Sequence, residues 1–462
     1  MDTRRIIQNV LDYIDDNIKS EISSDDLCSI AGYSYIHLVR LFKLYLGITP
    51  NEYILRRRLL FAVYEMNGDI SKTDIAFEFG FDTYAGFYKA FKREFGCSPS
   101  KFTKSYVGGK PYKINILQEE HIMVSKTKIQ KILPNWNLQN SVVKPIINEN
   151  TGNRSENSYY IGDDYVMKYS TNLAAVKKSI LLSEIVKLNS NDDYLQCGEL
   201  YFIVAKRIYG NQLRCVDIFN DTSIALTIGE NIAKLHNKLK FYDIDNFEQV
   251  NIYDDCINNL NKVKKVANLS NELCEKYKNE FGKIINKLPT QPIHRDINPS
   301  NMIFAGKEFK GFVDFDLTEV NVRIFDICYC ATAILSECFN NQINFEVWQK
   351  ILNNLIKGYN RIDKLSEHEI EAIPYVIYSI EIMCIAYFSK YDKFEESYST
   401  SRGGSKRTAF SLLSSPNYNR TVNVSKNREY IVKPEAISRL GNGEAFVLSA
   451  ALGQLAHLVL TG

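Results

Sequence analysis

The chain has 462 residues, too many for one ordinary core, and at about 100 to 200 residues per domain two to four domains are expected. Its 56 Lys and Arg against 54 Asp and Glu exclude a global field that would recruit nucleic acid or membrane, so any such binding must come from a local patch. The 10 cysteines are scattered without a CxxC pair, which argues against a zinc site or a disulfide framework. The opening MDTRRIIQNVLDYIDDNI alternates charge with apolar residues, and no run reaches the ~20 apolar residues of a membrane span. A cytoplasmic chain with no membrane partner is expected.

One frame occurs twice in the N-terminal region. LCSIAGYSYIHLVRLFKLYLGITPNEY (27–53) aligns with IAFEFGFDTYAGFYKAFKREFGCSPSKF (75–102) so that Gly32 answers Gly80, Phe42 answers Phe91, Gly47 answers Gly96 and Pro50 answers Pro99. The offset grows by one residue along the second copy. Each copy predicts a short helix, a tight turn, and a second helix closed by Gly with Pro shortly after. Ser34 and Asp82 stand where N-caps belong, and PNEYILRRRLLFAVYEM (50–66) predicts the connecting helix of a helix-turn-helix pair.

With IAFEFGF, FKREFGCSP and the RLLFA of the connecting helix, roughly residues 5 to 105 resemble the DNA-binding domain of AraC/XylS-type transcription regulators. The resemblance implies that the second helix of each unit enters the major groove of double-stranded DNA. Candidate readers are then Tyr35, Ile36, His37 and Arg40 in the first unit and Thr83, Tyr84, Tyr88 and Lys89 in the second, some of them on phosphate. Residues 1–107 hold fourteen Lys/Arg and fourteen Asp/Glu. Affinity is therefore expected from the cluster Arg56, Arg57, Arg58, Lys89, Lys92 and Arg93.

Gly108, Gly109 and Pro111 break the preceding helix and predict a linker over 108–144 that frees the chain, with YKINIL as a candidate strand.

SYYIGDDYVMKYS (158–170) predicts two strands joined at Gly-Asp-Asp, with Lys168 placed to hold nucleotide phosphates. Glu184 lies in KKSILLSEIVKLN, whose apolar spacing predicts a helix and permits an ion pair to Lys168. In HRDINPSN the spacing from Asp296 to Asn301 is that of a kinase catalytic loop. Phosphoryl transfer needs a carboxylate beside the attacking hydroxyl and oxygen ligands for Mg²⁺. Asp296 suits the first task, and Asn301 with Asp314 in KGFVDFDL the second, Asp316 being the alternative.

IGENIAKLHNKL (228–239), PIHRDINPSNMIF, GFVDFDL and RIFDICYCATAIL (323–335) together resemble the aminoglycoside phosphotransferase and choline/homoserine kinase group over roughly 145–395. That resemblance implies Mg²⁺ with ATP or GTP as cofactors and a small-molecule acceptor. It further implies that Asp326 braces the catalytic loop, that the helix ending near His236 packs behind it, and that backbone groups from Lys206 to Ile208 hold adenine. Arg295 departs from the group's usual small residue. The implied acceptor region, about 340–395, contains Glu381 and Glu395 with Glu396 just beyond. These acids suit either a cationic acceptor or a solvated helix face.

The expected fold is thus multidomain: an all-α tandem helix-turn-helix domain (1–107), the linker, an α+β two-lobed kinase-like domain (145–395), and a linker with an unassigned C-terminal segment (396–462). The expected function is a sequence-specific regulator whose kinase-like domain binds nucleotide and phosphorylates a small-molecule hydroxyl. A small-molecule kinase with an accessory DNA-binding domain and a catalytically inactive ligand sensor are the alternatives.

Overall fold

The computed structural model describes residues 2–388 apart from 69, 107, 110, 112, 118–120, 151, 268 and 338–344, together with strands at 444–448 and 455–459. The chain divides into two compact units, Met1–Ile208 and Tyr209–Gly462.

The first unit opens with α1 (Thr3–Asp16), α2 (Ser24–Ala31), α3 (Tyr35–Leu46), α4 (Pro50–Glu65), α5 (Lys72–Glu78), α6 (Tyr84–Phe95) and α7 (Pro99–Ser105). Local chemistry sets their ends. Ser23 with Asp26 and Thr49 with Glu52 form capping boxes, and Pro50 occupies the first turn of α4, where its missing N–H costs nothing. Both α3 and α6 close on a left-handed glycine, Gly47 at φ 73° and Gly96 at φ 77°. Ser34 caps α3 as expected, but α6 is capped by Thr83 rather than Asp82. The extra residue of the second copy falls before the cap and moves it one position along.

The expected free linker is instead packed. Gln8 receives the N–H of Ile116 (2.9 Å) and donates to the Ile114 carbonyl (2.9 Å), while Ile114, Ile116 and Met123 are buried among the helices. Gly108 lies so close to α4 that a Cβ would stand 2.4 Å from the Val63 carbonyl oxygen. Its glycine is thus required by contact, and no strand forms over YKINIL among the described residues.

The unit continues through α8 (Lys126–Ile132), β1 (Val143–Ile147), β2 (Arg154–Ile161), β3 (Tyr165–Ser170), α9 (Leu173–Leu182), β4 (Leu195–Cys197) and β5 (Leu200–Lys206). The strands form an antiparallel sheet in the order β1-β2-β3-β5-β4. Alternate residues Tyr159, Ile161, Met167, Tyr169, Phe202 and Val204 face a core that also holds Ile129 and Trp136, the period of two that a half-buried strand requires.

The second unit comprises β6 (Asn211–Gln212), α10 (Cys215–Asn220), α11 (Ile224–Leu239), α12 (Ile252–Ala267) and α13 (Asn271–Lys276), which passes through a π-turn into α14 (Gly282–Ile284). Then come β7 (Thr290–Ile293), β8 (Met302–Ala305), β9 (Glu308–Phe312), β10 (Glu319–Val322), α15 (Ile324–Glu337), α16 (Phe345–Asn360) and α17 (Glu367–Phe388). Two small sheets, β6-β8-β9 and β7-β10, hold both ends of the segment 294–301 and the stretch after β9. Helices α11 and α16 touch through reciprocal glycines. A Cβ on Gly229 would meet the Leu355 oxygen at 2.0 Å, and one on Gly358 the Leu226 oxygen at 2.1 Å.

By length and composition the stretch Glu367–Tyr387 in α17 could cross a membrane, contrary to the sequence expectation that no run was long enough. Its Ile373, Val376, Ile377 and Ile380 are buried in the core of the unit, and its Glu369 is paired with Arg323. Of the C-terminal segment, β11 (Glu444–Leu448) and β12 (Leu455–Val459) pair antiparallel, and the remainder lies outside the described residues.

Candidate functional site

The sequence repeat becomes two 12-residue helices with matching ends. On α3, Leu38, Leu41, Phe42 and Leu46 face the core, while Ile36 (70 % exposed), His37 and Arg40 face outward. On α6, Phe87, Ala90, Phe91 and Phe95 are buried, while Tyr88, Lys89, Lys92 and Arg93 are exposed. Other candidate readers also serve the fold. Tyr35 and Tyr84 are half-buried and pack on the core, and the Thr83 hydroxyl accepts the Gly86 N–H at 3.1 Å.

The arginine run of α4 turns inward. Arg57, 2 % exposed, forms a bidentate pair with Asp15, 4 % exposed. Arg58 donates to the carbonyls of Ile18 (3.2 Å) and Ser20 (2.8 Å), and Arg56 pairs with Glu94 at 2.9 Å. A run of three cations offers no sign in sequence of which face it takes, and here the core side contains the acids.

The catalytic-loop residues assemble in the second unit. Asp326, fully buried in the first turn of α15, accepts the backbone N–H of His294 (2.9 Å) on Oδ2 and that of Arg295 (2.8 Å) on Oδ1. His236 Nε2 lies 3.0 Å from Asp326 Oδ2, and its Nδ1 lies 3.0 Å from the Tyr359 hydroxyl. The carboxylate thus clamps the loop backbone and the buried imidazole orients the carboxylate, since buried polar groups of this kind hold only when their partners are complete.

Asp296 is oriented by three donors. Its Oδ1 accepts from Asn298 Nδ2 (2.9 Å) and the Tyr329 hydroxyl (2.8 Å), and its Oδ2 from Asn301 Nδ2 (2.9 Å). Burial pushes the Asp296 pKa up, the Tyr329 and Asn298 hydrogen bonds pull it down, and the nearby Asp314 charge raises it. The Val313 N–H donates to the Asn301 carbonyl (3.0 Å), which brings the stretch carrying Asp314, two residues beyond the end of β9, beside the loop.

Two backbone positions are left-handed, Arg295 at φ 71° and Asp314 at φ 70°. Glycine adopts this region without steric cost, so an arginine at position 295 holds a backbone conformation that a small residue would take more easily. Here Arg295 Nε pairs with the buried Glu319 at 2.8 Å. Tyr329 and Asn298, which bond Asp296, and the Arg295–Glu319 pair are the contacts of this loop that motif spacing missed. Tyr329 lies three residues after Asp326 on α15, the spacing that puts two side chains on one helix face.

The small-lobe residues sit in the first unit. Lys168 is on β3, opposite Ser158 of β2 and Ile203 of β5. The expected helix through Glu184 stops at Leu182. Beyond it the chain joins the edge of β5, with an Ile185–Ala205 bridge and the Val186 N–H on the Val204 carbonyl at 2.7 Å. Glu184 therefore lies on a strand-like edge, where its carboxylate pairs with Lys206 and its carbonyl accepts the Lys206 N–H at 2.9 Å. Ile208 ends the unit.

Residues 27–105 match the helix-turn-helix domain family and residues 230–364 the phosphotransferase enzyme family. The chain is 36 % identical over 104 residues to the HTH-type transcriptional activator AarP of Providencia stuartii, covering 22 % of this chain and 77 % of that one. It is 34 % identical over 103 residues to the regulatory protein SoxS of Salmonella typhimurium, covering 22 % and 96 %. A solved structure of the amicoumacin kinase hAmiN aligns with a TM-score of 0.43 and 13 % identity over 54 % of this chain and 81 % of that one. The chain belongs to the AraC-type helix-turn-helix regulators through its N-terminal region, and it carries a phosphotransferase-like α+β domain of kinase-like type behind it.

Proposed function

We propose that the protein is a cytoplasmic, sequence-specific DNA-binding transcription regulator whose kinase-like domain binds ATP or GTP with Mg²⁺ and phosphorylates a small-molecule hydroxyl. In this reading residues 1–107 read DNA and 145–395 form the phosphotransferase domain. The observation that carries the catalytic half is the orientation of Asp296 by Asn298, Asn301 and Tyr329 on a loop clamped by Asp326.

In this reading Ile36, His37, Arg40, Tyr88 and Lys89 meet the duplex from exposed helix faces. Tyr35, Thr83 and Tyr84 act at the helix starts, and Arg56 and Arg58 stand behind them. Asp296 takes the proton of the acceptor hydroxyl as its oxygen attacks the γ-phosphorus and the nucleoside diphosphate leaves. The Asn301 amide oxygen and the Asp314 carboxylate are hard donors of the kind Mg²⁺ prefers and would hold it. The cation, when bound, neutralises phosphate charge. Lys168 would hold phosphate, and backbone groups from Lys206 to Ile208 would hold adenine, with Glu184 bracing Lys206.

One observation favours a ligand sensor as the second reading: both carboxylate oxygens of Asp296 already accept internal hydrogen bonds. Full-length protein incubated with γ-labelled ATP or GTP, Mg²⁺ and a panel of aminoglycosides, choline and homoserine separates the two. Transfer that disappears in Asp296→Asn with nucleotide affinity retained supports the enzyme. Nucleotide binding without transfer to any acceptor supports the sensor, and a random-site selection without sequence preference removes the regulator.

A further inference from the structure

Within the first unit, the helices that carry the candidate DNA readers meet the nucleotide-lobe sheet at a buried charge cluster. Arg154 is the first residue of β2, and its side chain is 6 % exposed. Its guanidinium pairs with Glu94 of α6 and reaches the Tyr159 hydroxyl. Arg56 of α4 approaches the same Glu94 oxygen at 2.9 Å. Burial works against the Glu94 charge, yet Arg56 and Arg154 overcome it and hold the carboxyl below its ordinary value.

A short strap runs alongside. The Met123 N–H donates to the Leu46 carbonyl at the end of α3 (2.8 Å), and Lys126 Nζ to the Arg93 carbonyl near the end of α6 (2.8 Å). On the sheet side, the Val124 carbonyl accepts the Tyr159 hydroxyl (2.7 Å) and its N–H donates to the Tyr169 oxygen (3.0 Å). Both recognition helices are thereby tied, at the same end, to β2 and β3.

We propose that duplex affinity responds to nucleotide occupancy of the small lobe, through the Arg56–Glu94–Arg154 triad and the strap at 123–126. The inference rests on the nucleotide reading above, because Lys168, which would hold phosphate in it, lies on β3 opposite Ser158 of β2 and next to the Tyr169 that the strap holds. Nucleotide that draws on Lys168 shifts β3 and, through the ladder, β2. Arg154 cannot leave Glu94 without exposing an uncompensated buried charge, which is strongly unfavourable. The less costly response is for α6 to follow, and with it the relation between α3 and α6 that spans two successive groove segments. Linkage makes the effect reciprocal, so duplex changes nucleotide affinity by the same factor.

The test uses the full chain, a duplex recovered by random-site selection, and Mg²⁺ with a non-hydrolysable ATP or GTP analogue. The duplex Kd is expected to change by about fivefold or more on saturation with analogue. That change should collapse towards unity in Glu94→Gln and shrink in Lys126→Ala, a variant that leaves the triad intact, while direct titration shows analogue affinity retained. Analogue binding with an unchanged wild-type duplex Kd overturns the coupling and leaves the nucleotide reading standing. Full coupling in both variants overturns the assigned route. Failure of the analogue to bind in direct titration overturns the nucleotide reading, and the coupling falls with it.

Discussion

The Tyr329 hydroxyl donates to Asp296 Oδ1 at 2.8 Å, so a residue of α15 sets the ionisation of the proposed base. The bond favours the charged carboxylate against burial. Tyr329→Phe therefore raises the Asp296 pKa further, and the acid limb of the pH profile for transfer moves to higher pH. Turnover in that limb should fall by about tenfold, the worth of a ~1.4 kcal/mol hydrogen bond, with nucleotide affinity unchanged. An unmoved limb would show that Asp296 is not the titrating group.

Arg295→Gly relieves a left-handed backbone worth about 1 to 2 kcal/mol but removes the partner of Glu319. Burial raises the Glu319 pKa and Arg295 opposes it, so without Arg295 the raised value climbs further. The single variant should lose stability as pH rises from acidic to neutral. Combining it with Glu319→Gln should restore stability to at least that of the parent, as urea midpoints at two pH values would reveal.

Glu381 is another acid whose ionisation burial disfavours. It lies beside a cavity of about 20 Å³ lined by Leu260, Tyr277 and Ile385, and its Oε2 has no hydrogen-bond partner among the described residues. The solvated-face alternative does not describe it, while Glu395 and Glu396 lie outside the described residues. Burial pushes its pKa up to about 8. A carboxyl raised on folding contributes stability that is full below its unfolded value near 4.5 and is lost as pH rises through about 8. Glu381→Gln should flatten that decline. At pH 9 each kcal/mol of relief should raise the melting midpoint by about 2 to 4 °C, and an identical decline in the variant would refute the burial.

Basic residues of α3, α4 and α6 separate by role. Arg40→Ala or Lys89→Ala should weaken duplex binding and reduce the salt slope by about one each, with folding intact. Arg57→Ala leaves Asp15 buried without its partner and should destabilise the unit by about 3 to 5 kcal/mol. Its loss of DNA binding should follow the unfolding curve, which circular dichroism measured alongside a binding titration would establish.

The helix-turn-helix units and the contact between Asp296 and Asn301 in the kinase-like loop were legible in the chain because their information is local. Ser34 accepts from an N–H three residues on, Gly47 and Gly96 end their helices through their own φ, and Asp296 and Asn301 are neighbours across five residues. Only the tertiary structure decided the rest. Tyr329 meets Asp296 across 33 positions and Arg154 meets Glu94 across 60, separations at which no periodicity marks a pair. The segment after Gly108 read as free because glycine and proline break helices, and it packs because its contacts use backbone groups and the space of a missing Cβ. Arg56 and Arg57 follow the same logic: a cation's type is written in the sequence, but whether it meets a phosphate or a buried carboxylate depends on which distant acid the fold brings within 3 Å.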